Sequence, residues 1–166
     1  MTKLENSTKI CNQGNGDSRG VKIMPPTYFI VLLALSIGAH LVFPVKMIIS
    51  APFSYAGILF IAAGIVLNLW SSALFSRKKT TIYPFGRPGS LLVAGPYRIS
   101  RNPIYLGMFA ALLGAAILLG SLTPFVFPVA FLAIIGTRFI PVEERNLEAE
   151  FGDDYRNYRR VVRRWI

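Results

Sequence analysis

"NPIYLGMFAALLGAAILLGSLTPFVFPVAFLAIIGTRFIPVEE", residues 102–144, contains a single charged residue, Arg138, before it ends on a pair of glutamates. Two apolar runs, 104–119 and 122–140, are separated only by a tight turn. As helices they would extend about 24 Å and about 28 Å, near the ~30 Å thickness of a bilayer's hydrocarbon core. The stretch therefore predicts two membrane helices packed as a hairpin, the first of them short for a full crossing.

Two more apolar runs lie toward the N-terminus, at 26–45 and 53–75. The 166-residue chain is 53% hydrophobic and only 16% charged, which suits a membrane protein better than a soluble domain. We therefore predict an all-α, polytopic membrane protein with about four transmembrane helices in one domain, 23–166. Gly57 and Gly64 in the second run would let a neighbouring helix approach closely. His40, the sole histidine, lies near the end of the first run, where we expect an interfacial or packing role.

The polar segment 1–22 is predicted to be disordered, because it has too little apolar surface to offset the entropy of ordering. It contains the single cysteine, Cys11, so a disulfide framework and a cysteine metal cluster are excluded, and no metal site is predicted.

Charge predicts the orientation. Of the eighteen lysines and arginines, only Lys46 falls on the side of the membrane opposite to both termini and the central connection. By the positive-inside rule, the cation-rich side is cytoplasmic. We therefore expect both termini and the active site to face the cytoplasm.

Two polar segments on that side are too distinctive for simple loops. The connection 77–103 is rich in proline and glycine, which fix turns and bring backbone close to other groups. The tail 142–166 has helical periodicity, interrupted at Gly152. Its apolar stripe and its arginines predict an amphipathic cytoplasmic helix held by anionic lipid headgroups, and no nucleic-acid partner is predicted. The stripe consists of Leu147, Phe151, Tyr155, Tyr158, Val162 and Trp165.

Glu143 and Glu144 need another explanation, since carboxylates gain nothing from anionic headgroups. Pairing with Arg138 or Arg145 is one structural alternative, and a helix starting at Pro141, whose dipole favours acids, is another. A functional alternative is a pocket that joins these carboxylates to the aromatic, arginine and amide groups of the connection. Such a pocket would suit S-adenosylmethionine, which carries a sulfonium, a carboxylate and ribose hydroxyls.

Two blocks carry a resemblance to a known family: "LLVAGPYRISRNPIYLG" at 91–107 and "EERNLEAEFGDDYRNY" at 143–158. They resemble the paired motifs of the isoprenylcysteine carboxyl methyltransferases and their phospholipid methyltransferase relatives. The resemblance covers roughly the C-terminal half, with the blocks in the family's order around a helical hairpin. It implies an integral membrane methyltransferase that uses S-adenosylmethionine, releases S-adenosylhomocysteine and takes a lipophilic acceptor from the bilayer.

The resemblance also implies roles for individual residues. It assigns catalysis to Arg101, Arg138, Glu143 and Glu144. It assigns cofactor binding to Leu91, Leu92, Val93, Gly95, Tyr97, Asn102, Pro103, Tyr105 and Glu143.

The sequence departs from the family pattern at two places. Asn102 stands where the family often has a histidine, and asparagine does not titrate near neutral pH. The family places an arginine just upstream of the glutamate pair to hold the substrate carboxylate, and Arg138, one residue out of that register, is the nearby candidate here. We expect carboxyl O-methylation of an isoprenylcysteine-like substrate, with N-methylation of an ethanolamine phospholipid and a non-enzymatic, lipid-binding scaffold as alternatives.

Overall fold

The computed structural model of the chain describes residues 24–77 and 91–166. The predicted disordered leader and residues 78–90 of the 77–103 connection lie outside these ranges. The described part is built from helices and short turns, and three of its helices are long and apolar enough to cross a membrane. The prediction of an all-α membrane protein is confirmed.

Helix α1 spans Pro25–Val42 and begins at two prolines, whose fixed φ suits the first turn of a helix. A 3₁₀ turn, Phe53–Tyr55, leads into α2, Ala56–Arg77. Helix α3 spans Pro103–Leu119 and ends at Gly120, which adopts the left-handed conformation common after helices. A second 3₁₀ turn, Thr123–Phe125, precedes α4, Val126–Ile134.

The short helix α3 lies at the centre of the bundle, where Leu112 and Ala116 are fully buried. Glycines seven residues apart on α2 and α3 hold the two helices in close contact. A Cβ added to Gly64 would lie 2.9 Å from the Ala111 nitrogen, and one added to Gly107 would lie 2.8 Å from the Gly64 oxygen. The predicted close approach of a neighbour to α2 is confirmed, and α3 is the neighbour.

The last membrane helix does not stop where the tail begins. A π-helical turn, Ile135–Phe139, joins α4 to α5, Ile140–Val161, and the helix is unbroken from α4 as far as a kink at Gly152. Pro141 has no N–H to donate to the carbonyl of Thr137, four residues earlier. Thr137 lies inside the π-helical turn, where hydrogen bonds span five residues instead of four, so the helix can continue through the proline. The alternative that a new helix starts at Pro141 is therefore wrong, so a helix dipole does not explain the two glutamates.

The predicted interruption at Gly152 is present: its φ of 50° and ψ of −119° are not helical. The kink turns the last part of α5 back toward the bundle, so the chain end returns to the start of α3.

The opposite end of the bundle is fastened by a polar contact. The His40 Nδ1 and Ser121 Oγ atoms are 2.7 Å apart, and the Thr123 hydroxyl donates to the Phe43 carbonyl at 2.7 Å. The predicted packing role of His40 is confirmed, because its partner belongs to the turn between α3 and α4.

Candidate functional site

The segment before α3 is seated tightly on α2. Residues Gly95–Arg98 form a 3₁₀ turn that starts at Gly95, with a φ of 59°. A Cβ there would lie 2.9 Å from the Leu74 side chain and 3.5 Å from the Trp70 ring. Only glycine fits both the backbone conformation and the space. Gly95 therefore positions the turn and, with it, the buried side chain of Tyr97.

A tyrosine–glutamate pair lies where α3 meets α5. The Tyr105 hydroxyl donates a short hydrogen bond to Glu143 Oε1. Tyr105 is buried on the first turn of α3, and Glu143 lies just beyond the apolar segment of the last membrane helix, which ends at Val142. The two blocks that are distant in sequence therefore meet at one carboxylate.

The environment of this pair controls its protonation. Burial raises the pKa of the Glu143 carboxyl to about 7; the hydrogen bond from Tyr105 partly opposes the rise, and the nearby Glu144 carboxylate adds to it. Burial also raises the pKa of the Tyr97 and Tyr158 phenols above the ordinary value of 10. These phenols stay protonated at neutral pH, which leaves Glu143 as the better proton acceptor.

Glu144 has a different environment from Glu143. Its Oε1 is 3.2 Å from an Arg101 guanidinium nitrogen, and its Oε2 is 2.8 Å from an Arg164 guanidinium nitrogen. The Glu144 and Arg101 side chains are about nine-tenths buried. Arg101 also donates to the Tyr155 hydroxyl at 3.4 Å. Glu144 therefore ties the tail to the turn that precedes α3.

Backbone contacts reinforce this attachment. The Arg101 N–H donates to the Arg163 carbonyl at 3.0 Å, and the Asn102 side-chain amide donates to the Arg164 carbonyl at 3.0 Å. The Tyr158 hydroxyl donates to the Tyr97 carbonyl at 2.6 Å. The apolar stripe of the tail thus packs on protein, with Tyr155 almost fully buried. The prediction that the stripe lies on lipid is wrong for this residue.

The predicted site residues fall into three groups. Tyr97 and Tyr105 are brought together with the buried carboxylate of Glu143, and Pro103 lies two residues before Tyr105 on α3. Arg101, Asn102 and Glu144 are joined through the tail contacts. Leu91 and Val93 line a separate open groove of about 560 Å³, which the tail residues Tyr158, Val161 and Val162 also line. Leu92 is buried beside it.

Arg138 stands apart from these groups. It is exposed on the π-helical turn, and the ion pairs found in residues 24–77 and 91–166 do not include it. The structure does not place it with the glutamates, so the alternative that Arg138 pairs with Glu143 or Glu144 is wrong.

Sequence reasoning missed Arg164 and Tyr155 as partners of the site. The tail arginines had been assigned to lipid as a group, yet Arg164 bonds to Glu144 through two nitrogens. The 3.6-residue period of the tail could have identified Tyr155, because it places this residue on the apolar stripe. Arg164 follows the end of α5 at Val161, where that period no longer applies.

A buried donor marks the place for an anionic group. Arg101 Nε is buried and has no hydrogen-bond partner among the described residues, although the other two guanidinium nitrogens are engaged. It belongs to the arginine that pairs with Glu144, the residue that follows Glu143 in the chain. The site thus offers one unused cationic donor and one buried carboxylate, a set that fits a zwitterionic ligand.

A buried carboxylate and a buried arginine at the boundary of a helical bundle define a membrane protein with a polar site at one membrane surface. Comparison with known proteins gives the family. The model of the phospholipid methyltransferase family matches residues 53–154, from the start of the α2 region into the tail. The chain belongs to this family and is a membrane methyltransferase.

A curated protein of Haemophilus influenzae, described as uncharacterized, is 36% identical over 63 residues, which are 38% of this chain and the whole of that protein. No solved structure matches the chain.

Proposed function

We propose that this protein transfers a methyl group from S-adenosylmethionine to a lipophilic acceptor at the membrane surface, and that the acceptor is a lipid amine of the ethanolamine phospholipid type. The observation that carries the proposal is the buried Glu143 carboxylate on Tyr105, beside the unpartnered Nε of Arg101.

The donor set suits the cofactor. Glu143 offers a negative charge to the ammonium and sulfonium groups, and Arg101 Nε offers a donor to the carboxylate. Tyr97 and Tyr105 present aromatic rings, which favour a sulfonium. When bound, S-adenosylmethionine supplies the methyl group on a sulfonium that leaves as a neutral thioether. Leu91 and Val93, in the adjoining groove, are suited to an apolar part of the ligand.

The residues of the chain then position the acceptor and handle its proton. Methyl transfer is an in-line displacement, so alignment and exclusion of water account for most of the acceleration. An ammonium headgroup must lose a proton before it attacks. Glu143 is suited to accept that proton, because a base with a pKa near the working pH is the most effective.

The acceptor class follows from the cations of the site. An isoprenylcysteine carboxylate would need a free cation beside the methyl donor. Arg138 is exposed and takes no part in the ion pairs of the described residues, and Arg101 is already paired with Glu144. Among the described residues, Arg101 Nε is the buried arginine nitrogen without a partner, and it is assigned to the cofactor; Arg98 is unpaired but exposed, in the open groove. These facts favour an amine over a carboxylate, which reverses the order of preference that the sequence suggests.

The test is transfer of radiolabelled methyl groups in nanodiscs that contain either phosphatidylethanolamine or a prenylcysteine analogue. We expect labelled phospholipid with the wild type and none with Glu143→Gln. Glu148→Gln, which removes a carboxylate from the same helix where it pairs with Arg156, should remain active. Label in the prenylcysteine analogue alone would contradict the choice of acceptor, and equal activity of Glu143→Gln would contradict the site.

The proposed orientation puts the site in the cytoplasm. Cys11, the sole cysteine, should be labelled by a membrane-impermeant maleimide in inverted vesicles and protected in intact cells. Labelling from outside intact cells would contradict this orientation.

A further inference from the structure

The end of the tail lies at the level of the membrane boundary. Ser100, three residues before the apolar helix α3, pairs with Arg163 in an isolated β-bridge. Three extended residues span only about 10 Å, so Arg163 lies close to the start of the membrane helix.

A second contact carries the chain end further toward the membrane. Trp165 packs against the apolar cluster that includes Ile135 and Phe139. Its ring would lie 3.9 Å from a Cβ on Gly136. Gly136 lies inside the apolar segment of the last membrane helix, so the tail is anchored against a transmembrane segment.

The arginines of this region fall into two kinds. Arg156 and Arg159 are paired with Glu148, and Arg156 is also paired with Asp153. Arg98, Arg160 and Arg163 are exposed and take no part in the ion pairs of the described ranges. These three arginines are thus uncompensated by an ion pair, although Arg98 lines the same open groove as Asp154.

Exposed apolar side chains accompany the uncompensated arginines. Ile99 is 66% exposed, Val161 is 83% exposed and Ile166 is 72% exposed. Ile99 directly follows Arg98, Val161 directly follows Arg160, and Ile166 follows the anchored Trp165. Large apolar side chains next to cations at the boundary of a bilayer are the composition of a lipid-binding surface.

We propose that Arg98, Arg160 and Arg163, with Ile99, Val161 and Ile166, bind the headgroups of anionic phospholipids in the leaflet on the tail side. The arginines attract the phosphates, and the apolar side chains enter the boundary between headgroups and acyl chains. The surface is positively charged, and it lies at the membrane boundary because Trp165 packs against the last membrane helix. Both features favour lipid over a soluble partner. Arg98 and Val161 also line the open groove beside Leu91 and Val93, so the surface borders the proposed ligand site.

The tryptophans provide a direct reporter. The chain has two, Trp70 and Trp165, so in a Trp70→Phe background the fluorescence comes from Trp165 alone. The protein is reconstituted in equimolar phosphatidylglycerol and phosphatidylcholine, with bromine on the acyl chains of one lipid or the other. Bromine quenches a nearby tryptophan, so unequal quenching measures which lipid is enriched around Trp165.

We expect stronger quenching by brominated phosphatidylglycerol. At low salt, phosphatidylglycerol should be enriched around Trp165 by roughly fivefold per uncompensated arginine. The enrichment should be smaller in about 0.5 M NaCl, because salt screens the attraction. Arg160→Gln with Arg163→Gln should remove most of this preference. Arg156→Gln with Arg159→Gln, a matched control with the same loss of formal charge in the same tail, should keep it.

Two results would overturn the proposal. Equal quenching by both lipids in the wild-type background would mean that the surface does not select anionic lipid, as expected if it meets an acidic protein instead. An equal loss in both double variants would mean that net charge alone, and not this surface, governs the lipid environment. Because all four arginines are exposed, the variants should fold, and thermal unfolding in detergent checks this.

Discussion

Neighbouring glutamates with opposite roles give the sharpest prediction. Glu143→Gln should abolish methyl transfer while leaving the fold intact, and Glu144→Gln should weaken the fold and reduce transfer only as a consequence. Both substitutions keep the shape of the side chain and remove one negative charge. Any difference between them therefore reports the surroundings of each carboxylate.

The magnitude for Glu144 follows from its two arginines. Its pair with Arg101 is about nine-tenths buried on both sides, and loss of one partner from a buried pair costs about 3–5 kcal/mol because the other charge stays uncompensated. The pair with Arg164 is more than one-third exposed on the arginine side, so it adds only about 0.5–1 kcal/mol. Glutamine keeps some hydrogen bonding, so we expect a destabilisation of about 3 kcal/mol.

Glu143→Gln should change the stability in the opposite direction to Glu144→Gln. Its pKa is raised by burial from 4.5 to about 7, so the folded protein binds more protons than the unfolded chain between these values. The stability contribution of this carboxyl is present below pH 4.5 and is lost as the pH rises through 7. Glu143→Gln should therefore be more stable than the wild type at pH 8, by no more than about 3 kcal/mol, and the difference should shrink toward pH 4.5.

The assay is thermal unfolding in detergent at pH 5 and pH 8, together with methyl transfer in nanodiscs. Glu148→Gln is the control for loss of an exposed carboxylate on the same helix. A strongly destabilised Glu143→Gln with a stable, inactive Glu144→Gln would refute the assignment of roles. The reasoning would also fail if both variants behaved alike.

Further predictions concern the bundle, the kink and the pH dependence. Gly64→Ala should destabilise the protein by about 1–3 kcal/mol, because the new Cβ meets backbone of α3, whereas Gly38→Ala, with no atom within 4 Å of its Cβ, should be neutral or stabilising in thermal unfolding. Gly152→Ala should cost about 1–2 kcal/mol from backbone strain alone, since its Cβ also meets nothing within 4 Å; an unchanged melting temperature would contradict the observed φ of 50°. For an amine acceptor, kcat/KM should rise with pH up to about 7, as Glu143 ionises, and then level; a profile that is flat between about pH 6 and about pH 8, one unit on either side of that pKa, would exclude Glu143 as the base.

The membrane helices and the kink could be predicted from the sequence because they depend on local features. Apolar runs indicate membrane helices whatever surrounds them, and Gly152 interrupts the helical period at the place where the backbone turns. The packing of α2 on α3 was foreseen from the small residues of α2 alone, although not the identity of the partner helix.

The roles of the two glutamates could not be predicted, because they depend on which distant residue each carboxylate meets. Adjacent helical positions point about 100° apart, so Glu143 meets Tyr105 while Glu144 meets Arg101 and Arg164. The continuity of the last helix through Pro141 was missed for a related reason. A proline favours a helix start, and the π-helical turn that accommodates it has no sequence signal of its own.

The tail shows the same limit. Its periodicity indicates an amphipathic helix, but an apolar stripe fits a lipid surface and a protein surface equally well. The kink at Gly152 decides between them by returning Tyr155 and Tyr158 to the turn before α3.

Calorimetric binding of S-adenosylmethionine to the protein in lipid nanodiscs tests the central claim most directly. We predict binding by the wild type that weakens by roughly tenfold or more in Glu143→Gln, as expected when a charged hydrogen-bond partner is removed, and is unchanged in Glu148→Gln. Equal binding by Glu143→Gln and the wild type, or no binding by folded wild-type protein, would contradict the assignment of Glu143 to the cofactor site.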